Sequence, residues 1–284
     1  MKILIIGGSR FVGPIVVKKM IESGHNLTIF NKDGMLPFYK NAKFIQGDRK
    51  NGFNMKGRFD VVIDTCAGKG EHIQKAIDEL DFDFYLNFGT AASYKKTNNL
   101  PLKDDSELGD WPLWGDYNKG KVECEKILQK SGAKHVTIRP IYILGENNYV
   151  DRENFIYSRI KNKISLILPG DGEAKTQFVF VENVADSIVL LAENKIQGAF
   201  NCCGDEVVTL KELVEIMGEI VGTKPVMEFN PNANGEGHDS KEFPFANEDF
   251  YCTNTKLKNL GIAFTPLAEG LKKGYENYYK KLLD

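Results

Sequence analysis

This chain of 284 residues contains no apolar run approaching the roughly 18 residues that a membrane-spanning helix needs, so no membrane span is read. Neither charge sign is in excess: 37 basic and 39 acidic residues leave a net charge of -2, which excludes a global attraction for polyanions. Any nucleic-acid role would need a local patch. Cysteines are few and odd in number, five in all (Cys66, Cys124, Cys202, Cys203, Cys252), without paired CxxC spacing. That pattern fits neither a disulfide framework nor a zinc site, and no metal is expected. The adjacent Cys202 and Cys203 read as buried spectators rather than a redox pair. No internal repeat or low-complexity tract is visible, and the first strand begins too early to leave room for a signal peptide, so the expectation is a cytoplasmic protein.

What is present is an ordinary globular composition, 42% hydrophobic and 27% charged, on a chain long enough to bury a sizeable core. "KILII" (2–6) is followed by a glycine-rich turn and then by "FVGPIVVKKMIESG", whose apolar residues recur at helical spacing up to Gly24. Further short apolar runs at 26–30, 42–48, 60–65, 82–90 and 135–140 alternate with helical stretches at 71–80 and 117–132. This predicts an α/β fold, a Rossmann-type doubly wound parallel sheet, with a small C-terminal substrate-binding lobe. The expected division is a dinucleotide-binding core over 1–165, to which 177–200 returns, and a lobe made mainly from 166–284. Residues 225–253, rich in Pro, Asn, Gly and Asp, read as irregular. His238 there has the default reading of an exposed loop histidine.

The turn Gly7, Gly8, Ser9, Arg10, Phe11, Val12, Gly13 lies between a strand and a helix, where glycines let the backbone approach a pyrophosphate and the helix N-terminus faces it. Arg10 stands where a middle glycine is expected. The second strand ends "TIFNKD", with Asn31 and Lys32 at its tip and Asp33 set further out. A carboxylate at the tip would repel a 2′-phosphate, whereas Arg10 and Lys32 together could clasp one through charge-assisted bonds. The pattern therefore favours NADP(H) over NAD(H). The other reading has Arg10 covering the turn or pairing with a local acid.

A tyrosine four residues before a lysine puts both on one helix face, and a cation beside a phenol helps it exchange protons with an alcohol. The spacing occurs three times, at Tyr39/Lys43, Tyr117/Lys121 and Tyr157/Lys161, so position must decide. Only Tyr117 opens the helix that follows "NFGTAASY", at the carboxyl edge of a strand where ligands of such sheets bind. Thr90 or Ser93 would supply a neighbouring hydroxyl.

Together "GGSRFVG", "GDR" (47–49), "GTAASY", "YNKGK", "IRPIYILG" and "FVFVENVADSIVLL" resemble the extended short-chain dehydrogenase/reductase superfamily of nucleotide-sugar epimerase and dehydratase type. The resemblance is strongest to the subgroup related to chloroplast stem-loop RNA-binding proteins, through "IRPIYILGENN", "RENFIYSRIKNK", "ILPGDG" and "FPF". It implies Tyr117 as catalytic acid/base, Lys121 on the nicotinamide ribose and beside Tyr117, and Thr90 on the reacting hydroxyl. Asp48 and Arg49 would form the adenine-side loop, while Cys66 and Ala67 would pass the cofactor's ribose and phosphates. The implied substrate is a hydroxylated, sugar-derived small molecule, and the implied assembly a homodimer through the helix 117–131. Two departures weaken a nucleotide-sugar substrate: Tyr142 stands where an Asn is usual after "RP", and Thr176 and Gln177 stand where an Arg usually precedes "FVFV". The alternative function is a non-catalytic protein on the same scaffold that binds RNA or senses NADP(H).

Overall fold

Apolar runs separated by amphipathic segments pair side by side and bury both faces, and in the computed structural model of this chain they do so as a seven-stranded parallel sheet. The structure describes residues 1–37, 40–233 and 239–284. Tyr39 and His238 lie outside the described residues. The first strands are β1 (Lys2–Ile6), β2 (Asn26–Asn31) and β3 (Lys43–Gln46). A two-residue ladder joins β4 (Arg58–Phe59) to β6 (Asp81–Phe82), flanking β5 (Val61–Asp64) and β7 (Tyr85–Phe88). The sheet continues with β8 (His135–Pro140), outside which lies a strand returning from the C-terminal half, Gly198–Cys202.

Between those two come β9 (Tyr142–Leu144), β10 (Leu166–Pro169) and β11 (Lys175–Phe180), so the returning strand is β12, followed by β13 (Val207–Thr209) and β14 (Met227–Asn230). The order across the large sheet is β3-β2-β1-β5-β7-β8-β12. The order reverses between β1 and β5, and in such sheets that reversal opens a crevice at the carboxyl ends. Of the stretch 177–200 expected to return to the core, 198–200 enters this sheet as the start of β12, while β11 pairs with β9 and β13 in a separate three-stranded sheet. The segment read as irregular contains β14, which pairs in parallel with β10.

Two-residue alternation assigns the faces. Ile3 and Ile5 pack on one side with Val16, Val17 and Met20 of α1 (Val12–Glu22) and Ile188 of α5 (Val181–Glu193). Leu4 and Ile6 pack on the other with Ile73 and Ala76 of α2 (Gly70–Glu79) and Cys124 and Leu128 of α3 (Gly115–Ser131). Side chains Ile3 to Ile6 are at most 1% exposed, so each contributes roughly 1.5–3 kcal/mol of burial. The C-terminal half adds α4 (Glu153–Lys161), α6 (Leu210–Val221), α7 (Thr255–Asn259) and α8 (Leu267–Gly274). The expected Thr209 cap is a full capping box with Glu212, and Gly222 ends α6 in the left-handed region. Cys202 and Cys203 are buried in the core, and all five cysteines are free thiols. No helix among the described residues is long and apolar enough to cross a membrane.

Candidate functional site

The chain leaves β1 by a turn that only glycine tolerates at three points. Gly7 and Gly8 have φ of +93° and +80°, and a Cβ on Gly13 would fall 2.5 Å from the Gly8 backbone. The amide of Gly8 donates to Thr65 Oγ1 at 3.1 Å, and that hydroxyl donates to the carbonyl of Ile6 at 3.0 Å, tying the turn to the end of β5. The replaced glycine is not where the backbone is strained: the positive φ outside glycine, +50°, belongs to Phe11, the residue before α1. This turn forms one wall of a cavity of about 450 Å³.

Every expected cofactor residue except Ala67 and Lys121 lines that cavity. Ala67 is fully buried in the core beside α2 and α3. Arg10 is 70% exposed, with Nε 3.9 Å from Asp33 Oδ2. Asp33 is not set apart, as its sequence position suggests. Its carboxylate accepts the Ser9 hydroxyl at 3.0 Å, and its amide donates to Asn31 Oδ1 at 2.8 Å, which folds the strand tip back over the glycine turn. Lys32 is exposed beside it.

Asp48 caps the short turn Arg49–Asn51 by accepting the amide of Lys50 at 2.9 Å. Arg49 drops beneath the cavity into a buried pair with Asp64, Nη2 to Oδ2 at 2.7 Å, and Tyr85 donates its hydroxyl to the same oxygen at 2.5 Å. Burial alone would push the Asp64 carboxyl up, but the Arg49 charge and three hydrogen bonds outweigh it and hold the group below the usual carboxylate range. The other Asp64 oxygen accepts the amide of Cys66 at 3.1 Å, which fixes the loop after β5. Cys66 is accessible along the cleft, yet crowding by protein and then the Asp64 charge push its thiol up to about 12. That direction favours the neutral thiol over the thiolate. Thr65, His72, Phe88, Ile143 and Tyr149 also line the cavity and carried no sequence signal that singled them out.

On the far side of the crevice, the motif "YNKGK" explains its own spacing. Asn118 is fully buried and donates to the carbonyls of Ala92 at 2.6 Å and Gly109 at 2.8 Å. Gly120 lets α3 touch the loop after β5, since a Cβ there would fall 2.1 Å from the Gly68 carbonyl oxygen. Lys121, 6% exposed, donates through Nζ to the carbonyl of Phe88 at 2.7 Å and lies 6.0 Å from the Tyr117 ring centroid. Tyr117 is 52% exposed. Thr90 accepts the amide of Ala92 at 3.2 Å as the cap of the turn Ala91–Ser93. Ser93 is completely buried, and so is Tyr157, which donates to the carbonyl of Leu271 at 3.0 Å, so neither competes for the role at the crevice.

The sequence profile described as the NAD dependent epimerase/dehydratase family matches residues 62–203. The chain belongs to that family. Among its relatives, the chloroplast stem-loop binding protein of 41 kDa b of Arabidopsis thaliana is 28% identical over 96% of this chain and 78% of its own length. UDP-glucuronic acid decarboxylase 1 of the same plant is 22% identical over 85% of this chain, which spans 63% of that enzyme. In structure, the chain superposes on UDP-glucose 4-epimerase of Thermotoga maritima with a TM-score of 0.78 at 20% identity, over all of both chains. UDP-glucuronic acid 4-epimerase of Bacillus cereus, crystallised with NAD, gives 0.76 at 17% identity, again over all of both chains. These two likenesses establish the Rossmann-type fold.

The family's nicotinamide dinucleotide fits the residues present. The glycine cradle and the α1 N-terminus face one cavity, and Arg49 has two buried donors, Nε and Nη1, with no acceptor among the described residues. Donors of that kind in a cavity wall suit an anionic, acceptor-rich ligand.

Proposed function

We propose that this chain is an NAD(P)-dependent enzyme of the epimerase/dehydratase type, acting on a hydroxylated, nucleotide-sugar-like substrate. The observation that carries the reading is the pinning of α3: Lys121 is bonded to the carbonyl of Phe88, a residue of the cavity wall, so proton-handling side chains stand at the edge of the dinucleotide site. The turn from Gly7 to Gly13 would hold the pyrophosphate, Asp48 the adenine, and Ser9, Arg10, Asn31 and Lys32 the adenosine ribose. When bound, the dinucleotide supplies a hydride acceptor or donor. Tyr117 takes the proton from the substrate hydroxyl and returns it. Thr90 positions that hydroxyl, and Lys121 keeps a positive charge beside the phenol. An ammonium has three donors, and the bond to Phe88 leaves two for ribose hydroxyls. Residues beyond Cys202 would furnish much of the substrate side.

The proposal includes a preference for NADP(H). Arg10 is held to Asp33 by a loose contact of 3.9 Å, so a 2′-phosphate would have to displace that carboxylate to reach Arg10, with exposed Lys32 lining the same part of the cavity. Parallel titrations with NADPH and NADH, followed by nicotinamide fluorescence, test this. NADPH should bind more tightly, and Arg10→Ala should weaken NADPH about tenfold while leaving NADH nearly unchanged. Equal affinities in the native chain reject the NADP(H) preference, and binding of neither cofactor rejects the enzyme reading.

A second reading, an RNA-binding protein on this scaffold, is supported by the stem-loop binding relative. It requires measurable affinity for RNA stem-loops at low salt, where phosphate contacts are strongest. Of the lysine-rich stretch 93–99, Lys95 pairs with Glu107 at 3.0 Å and Lys96 with Glu248 at 3.1 Å, so these charges are already partly neutralised.

A further inference from the structure

Next to Ile143 of the cavity wall, Tyr142 belongs to a cluster of rings with no role in the reading above. Tyr142, at the start of β9, packs edge-on against Trp114 at 5.8 Å, Phe245 at 5.0 Å and Phe250 at 5.6 Å between ring centroids. Trp111 meets Phe250 at 5.3 Å. Trp114 is three residues before Tyr117, so the cluster flanks the proposed reaction centre. Across it lies Arg152, whose guanidinium carbon is 5.0 Å from the Tyr142 ring centroid and 5.9 Å from that of Phe245. Its Nη1 donates to the carbonyl of Ile143, a cavity residue, at 3.2 Å.

This neighbourhood is rich in donors and poor in acceptors. Arg152 Nε, the indole Nε1 atoms of Trp111 and Trp114, and the Thr176 hydroxyl are all buried with no hydrogen-bond partner among the described residues. Thr176 belongs to the same place, bridging to Phe250. Buried donors without acceptors are destabilising, and of this set Trp111 and Thr176 are sealed in the core, whereas Arg152 is half-buried and carries the charge that an accepting ligand would meet. No carboxylate of the described residues lies within ion-pair distance of Arg152; Glu153, on which its charge acts, is bound by the Gly145 amide and Asn148. Glu248, the carboxylate that acts on Tyr142, is bound by Lys96 at 3.1 Å. The rings hold the guanidinium in place through cation–π contacts without discharging it.

Resting on the reading of Tyr117 and Lys121 as the reaction centre, we propose that Arg152 anchors an anionic group of the substrate, an oxyacid in the form of a carboxylate or a phosphate, beside the ring cluster of Trp114 and Tyr142. The assignment answers the absence of a basic residue at Thr176 and Gln177. Gln177 is a core strut, donating to the carbonyl of Gly204 at 2.6 Å and accepting the amide of Cys252 at 2.8 Å. The positive charge near the site comes instead from the loop after β9.

The chain has two tryptophans, Trp111 and Trp114, and both lie in the cluster, so intrinsic fluorescence reports on it directly. The full chain, saturated with NAD⁺, is titrated in turn with D-glucuronate, D-glucose 6-phosphate and D-glucose while tryptophan emission is followed. At least one anionic sugar should give a saturable change and glucose none. Response to glucuronate alone assigns a carboxylate, and response to the 6-phosphate alone assigns a phosphate. Arg152→Gln should weaken that binding by about 10- to 100-fold, with Arg152→Lys in between. Retained NAD⁺ affinity shows that the variants are folded. Equal response to glucose, unchanged affinity in Arg152→Gln, or no response to any of the three sugars overturns the proposal. Repeating the titration without NAD⁺ separates this result from the cofactor reading, because its signal does not come from the nicotinamide.

Discussion

A single methyl group at Gly120 tests how the proposed site is held together. In an open helix interior, Gly→Ala adds about 1 kcal/mol of stability by restricting the unfolded backbone. At Gly120 the new Cβ would sit 2.1 Å from the Gly68 carbonyl oxygen, whereas ordinary contacts begin near 3.4 Å. The obstacle is backbone and cannot rotate aside, so α3 and the loop after β5 must separate by about 1 Å, an overpacking cost of about 2–3 kcal/mol. The net loss is therefore about 1–2 kcal/mol, lowering Tm by roughly 2–6 °C. The same movement shifts Lys121 and Tyr117, and a 1 Å displacement at a reaction centre costs on the order of a hundredfold in rate. Calorimetry on Gly120→Ala beside Gly274→Ala provides the comparison, since the nearest atom to a Cβ on Gly274 is 3.8 Å away and that helical site is open. The two variants should move Tm in opposite directions. If Gly120→Ala is stabilised like Gly274→Ala, the close approach is not what positions α3, and the argument fails.

Tyr117→Phe should leave Tm within the scatter of surface substitutions, because Tyr117 is half exposed, while turnover in a substrate screen drops by about 10²- to 10⁴-fold; a variant with full turnover removes the phenol from the mechanism. Arg49→Met should cost about 3–5 kcal/mol at neutral pH, since it strands the buried Asp64 carboxylate. The depressed carboxyl of Asp64 makes the native pair stabilising above the ordinary Asp value and progressively less so as pH falls, whereas in Arg49→Met burial dominates and protonation relieves it. The stability gap between the two should narrow toward acid, and urea unfolding across pH would show a constant gap if the pair is electrostatically idle. Glu153 has the opposite sign: burial raises its carboxyl despite bonds from the Gly145 amide and Asn148, so its contribution is fullest below the ordinary Glu value and declines as pH rises through the raised one. Glu153→Gln should gain stability at neutral pH relative to acid, and a pH profile parallel to the native one would refute that assignment.

The parts of this fold that were legible in the sequence are those where one residue type satisfies a backbone constraint. Gly7 and Gly8 need positive φ, Gly13 needs contact with the turn, and Gly222 ends a helix, so each marks its position by identity alone. The parallel sheet was legible through the two-sided apolar strands. Charges were less legible, because their partners depend on how a loop folds back. Asp33 stands two residues past Asn31, and only the bond from its amide to Asn31 Oδ1 returns it to Ser9 and Arg10. The "GDR" loop suggested two cofactor contacts, and both residues line the cavity, but the pairing of Arg49 with Asp64 is set by register between β5 and β7 rather than by any local motif. Tyr149 belongs to a loop with no element pattern, and β14 is bounded by Pro and Asn residues that read as breakers. The resemblance implied Cys66 and Ala67 together, and only the fold of the loop after β5 separates them, with Cys66 lining the cavity and Ala67 buried in the core.

The two halves of the proposed site are fixed by different physics, and this bears on how the chain could change its chemistry. At Lys121 the constraint is steric and shared: Asn118, Gly120 and Lys121 each bind α3 to a separate backbone segment, at Ala92 and Gly109, at Gly68, and at Phe88. Altering one disturbs the others, so the proton-handling edge resists substitution. At the ribose end, Arg10 and Lys32 are exposed, and Arg10 is held through one loose contact with Asp33. Exposed charges exchange partners at a cost of about 1 kcal/mol or less, so under the proposed NADP(H) preference the choice of cofactor would rest on side chains that can vary without touching the fold. The end proposed for the substrate, around Arg152, is intermediate: the guanidinium is half-buried against the rings of Tyr142 and Phe245, and no carboxylate of the described residues lies within ion-pair distance of it. Under the proposal for Arg152, a change of substrate there would have to replace the charge while leaving Tyr142 and Phe245 packed, a tighter constraint than the exposed side chains Arg10 and Lys32 impose.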